Sequence, residues 1–239
     1  MAMRSLYVEP EAPAAEVRWP ALECIDVFRI YRSGPVETVA LRGLDLRIER
    51  GEFVAVLGPS GCGKSTFLAL AAGLDETSAG EVRSFGRALG RLDDSELAAY
   101  RANELAIVFQ SDNLWPTLSA QENVAIALRL AGLADAGPRA RAALERFGLG
   151  ARASHRVAAL SGGEQQRVAI AAAAGREARL VLADEPTGEL DVANERAVLD
   201  ALHDLRDRND ATVVVVTHSE RVAESADRVI ELRDGRVAQ

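Results

Sequence analysis

The sequence predicts an α/β fold with a mainly parallel sheet, an N-terminal antiparallel β part and an inserted α-helical subdomain. Three observations carry that expectation. From Phe53 onward, short continuous apolar runs alternate with segments of helical period, as in strands buried on both faces and joined by crossover helices. Ahead of them, Leu44-Asp45-Leu46-Arg47-Ile48 alternates strictly, the pattern of a half-exposed antiparallel strand. Between Leu114 and Ala159 the strand signal disappears and two helical stretches stand alone.

Taken in order, Met1 to Ala21 holds three of the eight prolines without usable periodicity and reads as a flexible leader. Residues 22–239 form one domain, with a core from 22–110 and 161–239 and an inserted helical subdomain at 111–160. Strands are expected at Cys24 to Tyr31, Leu44 to Ile48 and Phe53 to Leu57, then at Leu105 to Phe109, Leu180 to Ala183, Thr212 to Val216 and Arg228 to Leu232. Asp234-Gly235 marks a closing hairpin. Core helices are expected at Lys64 to Ala72, Ser95 to Ala102, Ser161 to Ala174, Val192 to Arg208 and Glu220 to Ser225. Those of the insert fall at Ala120 to Leu130 and Pro138 to Phe147, separated by Gly132 and Gly137.

With 239 residues, 48% of them hydrophobic, the chain can bury a sizeable core and is not disordered. Its 28 basic residues against 36 acidic leave a net charge of −8, which disfavours direct binding to nucleic acid or anionic lipid. No apolar run approaches the roughly 20 residues that span a bilayer, and Met1 to Pro20 lacks the apolar block of a secretory signal. The expected location is therefore the cytoplasm, with no membrane insertion of its own. Cys24 and Cys62 stand far apart without CxxC spacing, which argues against a disulfide framework or a structural zinc site. Lys64 is the only lysine, retained where a compact ammonium does what arginine's planar fork cannot.

Around that lysine runs Gly58-Pro59-Ser60-Gly61-Cys62-Gly63-Lys64-Ser65-Thr66, a glycine, four residues and then Gly-Lys-Ser, between a buried strand and a helix. Glycines let successive backbone N–H groups turn toward phosphates, and the helix start adds partial positive charge. Lys64 then reaches the outer phosphates and the Ser65 hydroxyl can ligate Mg2+, which makes the core a P-loop NTPase. The apolar strand Leu180 to Ala183 runs into Asp184 and Glu185. Ligands sit beyond the carboxyl ends of parallel strands, so Asp184 is placed near Ser65 and the metal, and Glu185 near the attacking water. Two more strands end toward the same edge in Gln110 and His218.

Ser161 and Glu164 satisfy a capping box at the start of a further helix, but the paired Gly162 and Gly163 between them cost helix stability, roughly 1 kcal/mol each. They are explained if backbone there closely approaches a second anionic group. Two phosphate-facing helix starts about a hundred residues apart do not fit a simple P-loop kinase.

This ordered set, from about Leu22 to Val237, resembles the ATP-binding cassettes of ABC transporters. The resemblance implies that Gly58 to Thr66 is the Walker A loop, Asp184 the Walker B aspartate and Glu185 the catalytic glutamate. His218 would be the switch histidine, Leu160 to Gln165 the signature, and Gly188-Glu189-Leu190-Asp191 the D-loop. Gln110 would be the Q-loop glutamine, a metal ligand beside Ser65 and Asp184, and Tyr31 would stack on adenine. It further implies ATP and Mg2+ as cofactors and a second cassette, expected to be identical, joined head to tail. Ser161 and Gly163 of one copy would then meet the γ-phosphate held by Lys64 of the other. A separate membrane permease would hold the chain at the inner face of the membrane, docking around Trp115 to Val124.

Leu114 to Val124 and Leu182 to Gly188 resemble the subgroup serving lipoprotein release and macrolide export, so an efflux-type or extracellular-acting permease is expected. An importer ATPase is the alternative. A soluble ABC ATPase acting outside transport is disfavoured by the single cassette, the absence of zinc cysteines and the net charge. Two positions depart from the pattern: Ala172 stands in place of an arginine, and Glu189 stands where Asn or Ala is more usual.

Overall fold

The computed structural model describes residues 18–238, so most of the expected leader lies outside the described residues. Ala21, counted in that leader, is buried, and its N–H donates to the Ile48 carbonyl at 2.9 Å. The first half contains β1 (Leu22–Ser33), β2 (Val36–Ile48), β3 (Phe53–Leu57), α1 (Lys64–Ala71), β4 (Ala79–Ser84), β5 (Arg87–Ala88), α2 (Asp94–Asn103) and β6 (Leu105–Val108). Then come α3 (Ala120–Leu130), α4 (Ala136–Arg146), α5 (Gly162–Gly175), β7 (Leu180–Asp184), α6 (Val192–Asn209), β8 (Thr212–Thr217), α7 (Glu220–Ser225), β9 (Arg228–Arg233) and β10 (Arg236–Val237).

The central sheet has the order β10-β9-β3-β8-β7-β6 and is parallel apart from the β9–β10 hairpin. Its continuous apolar runs are buried on both faces. Phe53, Val181, Ala183, Val213 and Val215 face a core shared with α3, α4, α5 and α6. Val54, Val56, Leu180, Leu182, Val214 and Val216 face a second core, roofed by α1 and the antiparallel sheet β2-β1-β4-β5. Each such branched side chain contributes roughly 1.5–3 kcal/mol on burial. The register pairs Leu57 with Thr217, Asp184 with Val216 and Val108 with Ala183. The residues that follow these strands therefore emerge at one edge of the sheet.

Several elements differ from the sequence reading. The strand expected at Leu44 to Ile48 extends back to Val36, because pairing along β1 satisfies backbone that local alternation leaves unmarked. Strands β4 and β5 carry no apolar alternation, and they exist because β1 offers β4 a second edge. Gly137 does not separate the insert's helices: α4 begins at Ala136, and Pro138 fits the first turn, where N–H groups lack intrahelical partners. The Asp234-Gly235 turn has φ of 48° and 76°, the mirror-image geometry that suits a two-residue hairpin. Both cysteines are free and buried, and burial with nearby Asp45 and Glu23 pushes the Cys24 thiol up to about 12.

His203 of α6 stacks on Phe53, with ring centroids 4.4 Å apart. Burial and the Arg206 charge hold its imidazole below the ordinary value of 6.5, against the opposing pull of Asp207, Asp227 and Asp200. The unfolded chain takes up this proton near pH 6.5 while the folded chain resists it, so stability is lost as pH falls below that value. A steeper melting-temperature drop between pH 7.5 and 5.5 is expected for the wild type than for His203→Leu. Equal slopes in scanning calorimetry would contradict it.

Candidate functional site

The loop from Gly58 to Gly63 leaves β3 and turns into α1 beneath a cavity of about 960 Å³. Lys64 Nζ donates to the carbonyls of Gly58 at 2.6 Å and Pro59 at 3.0 Å, which places the ammonium inside the loop's own curve. Gly63 has φ +108°, and a Cβ there would lie 2.7 Å from the Ala40 carbonyl and 2.8 Å from Leu41 Cδ2. The hairpin turn braces the same spot, the Gly235 N–H donating to the Cys62 carbonyl at 3.0 Å. Cys62 is buried beneath the loop and does not line the cavity, whereas Gly58, Pro59, Ser60, Gly61, Ser65 and Thr66 do. Thr38, Val39 and Ala40 of β2 also line it, which no local pattern marks.

Across the cavity the Ser65 hydroxyl donates to Asp184 Oδ2 at 3.3 Å. Burial pushes the Asp184 carboxyl up and the Glu185 charge adds to this, while the Ser65 hydroxyl and Lys64 pull it down. A hydroxyl and a carboxylate so placed fit a hard cation that takes its other oxygens from phosphates and water. Among the described residues no three His, Cys, Asp or Glu side chains form a protein-only cage. Glu185 has φ +46°, a strained conformation for a non-glycine residue that costs of order 1–3 kcal/mol. Its side chain accepts from His218 Nδ1 at 2.7 Å and from the Thr217 hydroxyl at 2.9 Å. A carboxylate only accepts, so the His218 proton lies on Nδ1. Glu185 and His218 both line the cavity, and this pair can hold and receive a proton there.

Gln110 also lines the cavity, held by a network that the sequence reading missed. Gln166 of α5 is buried, and its Nε2 donates to the Phe109 and Gln110 carbonyls at 2.9 and 2.6 Å. Asn113 completes the clamp, accepting from the Phe109 N–H at 2.7 Å. A signal existed: Gly163, Gln166 and Ile170 share one helical face, and a glutamine on a buried face calls for partners. The Gln110 side chain donates from Nε2 to Glu189 Oε1 at 3.2 Å.

Other expected residues lie apart. Tyr31 is absent from the cavity lining; its hydroxyl donates to Asp75 Oδ2 at 2.8 Å, and the Arg29 guanidinium covers one ring face at 4.7 Å. The residue as a whole is still 39% exposed. Ser161 to Glu164 open α5 outside the cavity. Glu164 accepts from the Ser161 N–H at 2.9 Å and from Arg152 Nε at 3.1 Å, and the Ser161 backbone bond is the main cause of its lowered pKa. Gly163 has a neighbour within the chain that the sequence does not show: a Cβ there would meet Asn194 Oδ1 at 2.6 Å. Packing against α6 within this chain thus favours a glycine there in its own right. Glu122 serves the α3 cap, accepting from the Ser119 N–H at 2.7 Å, while Trp115 is 53% exposed.

Comparison with known proteins gives the family. The family described as ABC transporter matches residues 41–188. The macrolide export ATP-binding/permease protein MacB of Marinobacter nauticus is 45% identical over 222 residues, covering 92% of this chain and 34% of its own length. This chain thus spans about a third of the length of that relative. The lipoprotein-releasing system ATP-binding protein LolD of Anaeromyxobacter dehalogenans is 43% identical over 230 residues, covering 94% of this chain and 95% of its own. Among solved structures, a dimeric post-hydrolysis state of the ATP-binding cassette MJ0796 bound to ADP and Pi superimposes with a TM-score of 0.84. It is 38% identical and covers 91% of this chain and 97% of its own. The chain belongs to the ABC transporter family and is an ATP-binding ATPase cassette of it.

Proposed function

We propose that two such cassettes close head to tail on two Mg-ATP molecules and that the cycle of closure and hydrolysis drives a membrane permease of the exporter type. The observation that carries the hydrolytic part is Glu185, strained, fastened by His218 and Thr217, and facing the cavity that holds Lys64 and Ser65. The loop N–H groups and the start of α1 bind the phosphates, and Lys64 pairs with the outer ones. Ser65, Asp184 and the Gln110 amide oxygen would hold Mg2+, which would draw charge from the phosphate oxygens. Glu185 takes the proton of the attacking water, and His218 keeps that carboxylate aimed. Tyr31 offers its exposed ring face to adenine.

The own-chain signature lies outside the own-chain cavity, which suits a site completed by the partner's Ser161, Gly162, Gly163 and Glu164. With its Oγ accepting from the Glu164 N–H, the Ser161 hydroxyl keeps its proton for a phosphate oxygen. No helix among the described residues is long and apolar enough to cross a membrane. In this reading a permease supplies the membrane span and holds the cassette at the cytoplasmic face. Its contact is read at a groove of about 500 Å³ bordered by Trp115, Leu130 and Ala172. The likeness to MacB and LolD supports the export direction and the lipoprotein-release and macrolide-export subgroup.

The test is purification of the Glu185→Gln chain with ATP from mild-detergent extracts of its native membranes, followed by mass spectrometry. Recovery of a multi-span protein with a large extracytoplasmic domain is expected. An ATP-dependent homodimer alone would overturn the permease reading and leave the cassette chemistry standing.

A further inference from the structure

We propose that Glu189 is a positioning residue for Gln110: it binds the amide nitrogen, so that the amide oxygen is the atom presented to the Mg2+ of the bound nucleotide. This rests on the reading of Gln110 as a metal ligand. The backbone on either side of Gln110 is already fixed, since Gln166 Nε2 holds the carbonyls of Phe109 and Gln110 and Asn113 holds the Phe109 N–H. What remains free is the rotation of the side-chain amide, whose two ends have nearly the same shape and opposite chemistry. A nitrogen turned to the cavity would direct N–H dipoles at a cation; an oxygen would ligate it.

Glu189 removes that ambiguity. Its carboxylate lies 3.2 Å from Gln110 Nε2, and as an acceptor without a proton to give it can pair with the nitrogen end alone. This assignment follows from the chemistry of the partner, independent of how the two amide ends were placed. Glycine at 188 leaves room for the approach: a Cβ there would stand 3.3 Å from the same nitrogen. Gln110 lines the cavity and Glu189 does not, so the carboxylate works from behind the amide rather than as a ligand itself. A hydrogen bond to a charged acceptor also polarises the amide and makes its oxygen a stronger donor to a cation. An asparagine at 189 could offer either of its own ends to Gln110 and would leave the choice open, whereas the glutamate of this chain settles it.

Mg2+ itself is titrated against the full chain in the hydrolysis-blocked Glu185→Gln background, saturated with a fluorescent ATP analogue. Glu189→Ala and Glu189→Asp are expected to raise the half-saturating Mg2+ concentration at least fivefold. The aspartate keeps the charge but is one methylene too short to reach Nε2. Glu189→Gln keeps the reach but can offer either of its own amide ends and carries no charge, so it is expected to raise the requirement as well. Nucleotide affinity in EDTA should be the same for all, which a general loosening of the fold would not allow. An aspartate variant that behaves like the parent would mean that Glu189 acts through charge alone, and a glutamine variant that behaves like the parent would mean that no carboxylate is needed to fix the amide; either would overturn the proposal. Gln110→Ala separates the ligand role of Gln110 from the positioning role of Glu189. If that change leaves the Mg2+ requirement unaltered, the reading of Gln110 as a ligand fails; if it raises the requirement while Glu189→Ala does not, the positioning role alone fails.

Discussion

Glu185→Gln is expected to lower ATP turnover by about 10²–10⁴-fold, the usual contribution of a positioned general base, while ATP affinity stays within twofold. The geometry explains why the two effects separate. The Glu185 carboxylate accepts from His218 Nδ1 and from the Thr217 hydroxyl. A glutamine can keep its oxygen on the His218 proton and donate its nitrogen to Thr217 Oγ, whose hydroxyl has lone pairs to spare. The fold around the residue is thus preserved, and so is the phosphate loop, which Glu185 does not bond. What disappears is the capacity to take a proton from water. Phosphate release under saturating ATP, alongside fluorescence titration of nucleotide, checks both halves; undiminished turnover would remove Glu185 from the proton-transfer role.

Gly63→Ala is expected to weaken ATP binding at least 100-fold, equivalent to about 2.7 kcal/mol. Two costs combine. A side chain at φ +108° is strained by roughly 1–2 kcal/mol, and its Cβ would sit 2.7 Å from the Ala40 carbonyl and 2.8 Å from Leu41 Cδ2. The carbonyl belongs to β2, which is locked along its length to β1, so the loop must yield rather than the strand. Movement of the loop misaligns the N–H groups that open α1 and the Lys64 ammonium beside them. Calorimetric titration of ATP reads the loss, and an affinity within threefold of wild type would show that the loop tolerates the displacement.

Much of this protein was legible in its sequence because the relevant physics is local. Continuous apolar runs identify Phe53 to Leu57, Leu180 to Ala183 and Thr212 to Val216 as strands covered on both faces, since only a parallel sheet between layers buries both sides of a strand. Glycine spacing and the solitary lysine mark the phosphate loop, and the Asp-Gly pair marks the final hairpin. Each of these rests on backbone conformation within a few residues. Parallel order then carries Gln110, Asp184, Glu185 and His218 to one edge, because each ends a strand or follows one within two residues.

The tertiary structure decided whatever depends on which strands lie side by side. Strands β4 and β5 have no alternation to announce them and form because β1 offers a free edge. The side chain packed against Gly163 is Asn194, 31 residues on. Tyr31 meets Asp75, 44 residues on, Gln166 reaches back 56 residues to Gln110, and Glu189 lies 79 residues beyond the amide it holds. By itself, the sequence determined the fold class and the residues able to do phosphate chemistry, since these follow from local periodicity and side-chain type. Only the folded chain decided which partner orients each of them, because a hydrogen bond acts over about 3 Å and strand register sets which distant residues come that close.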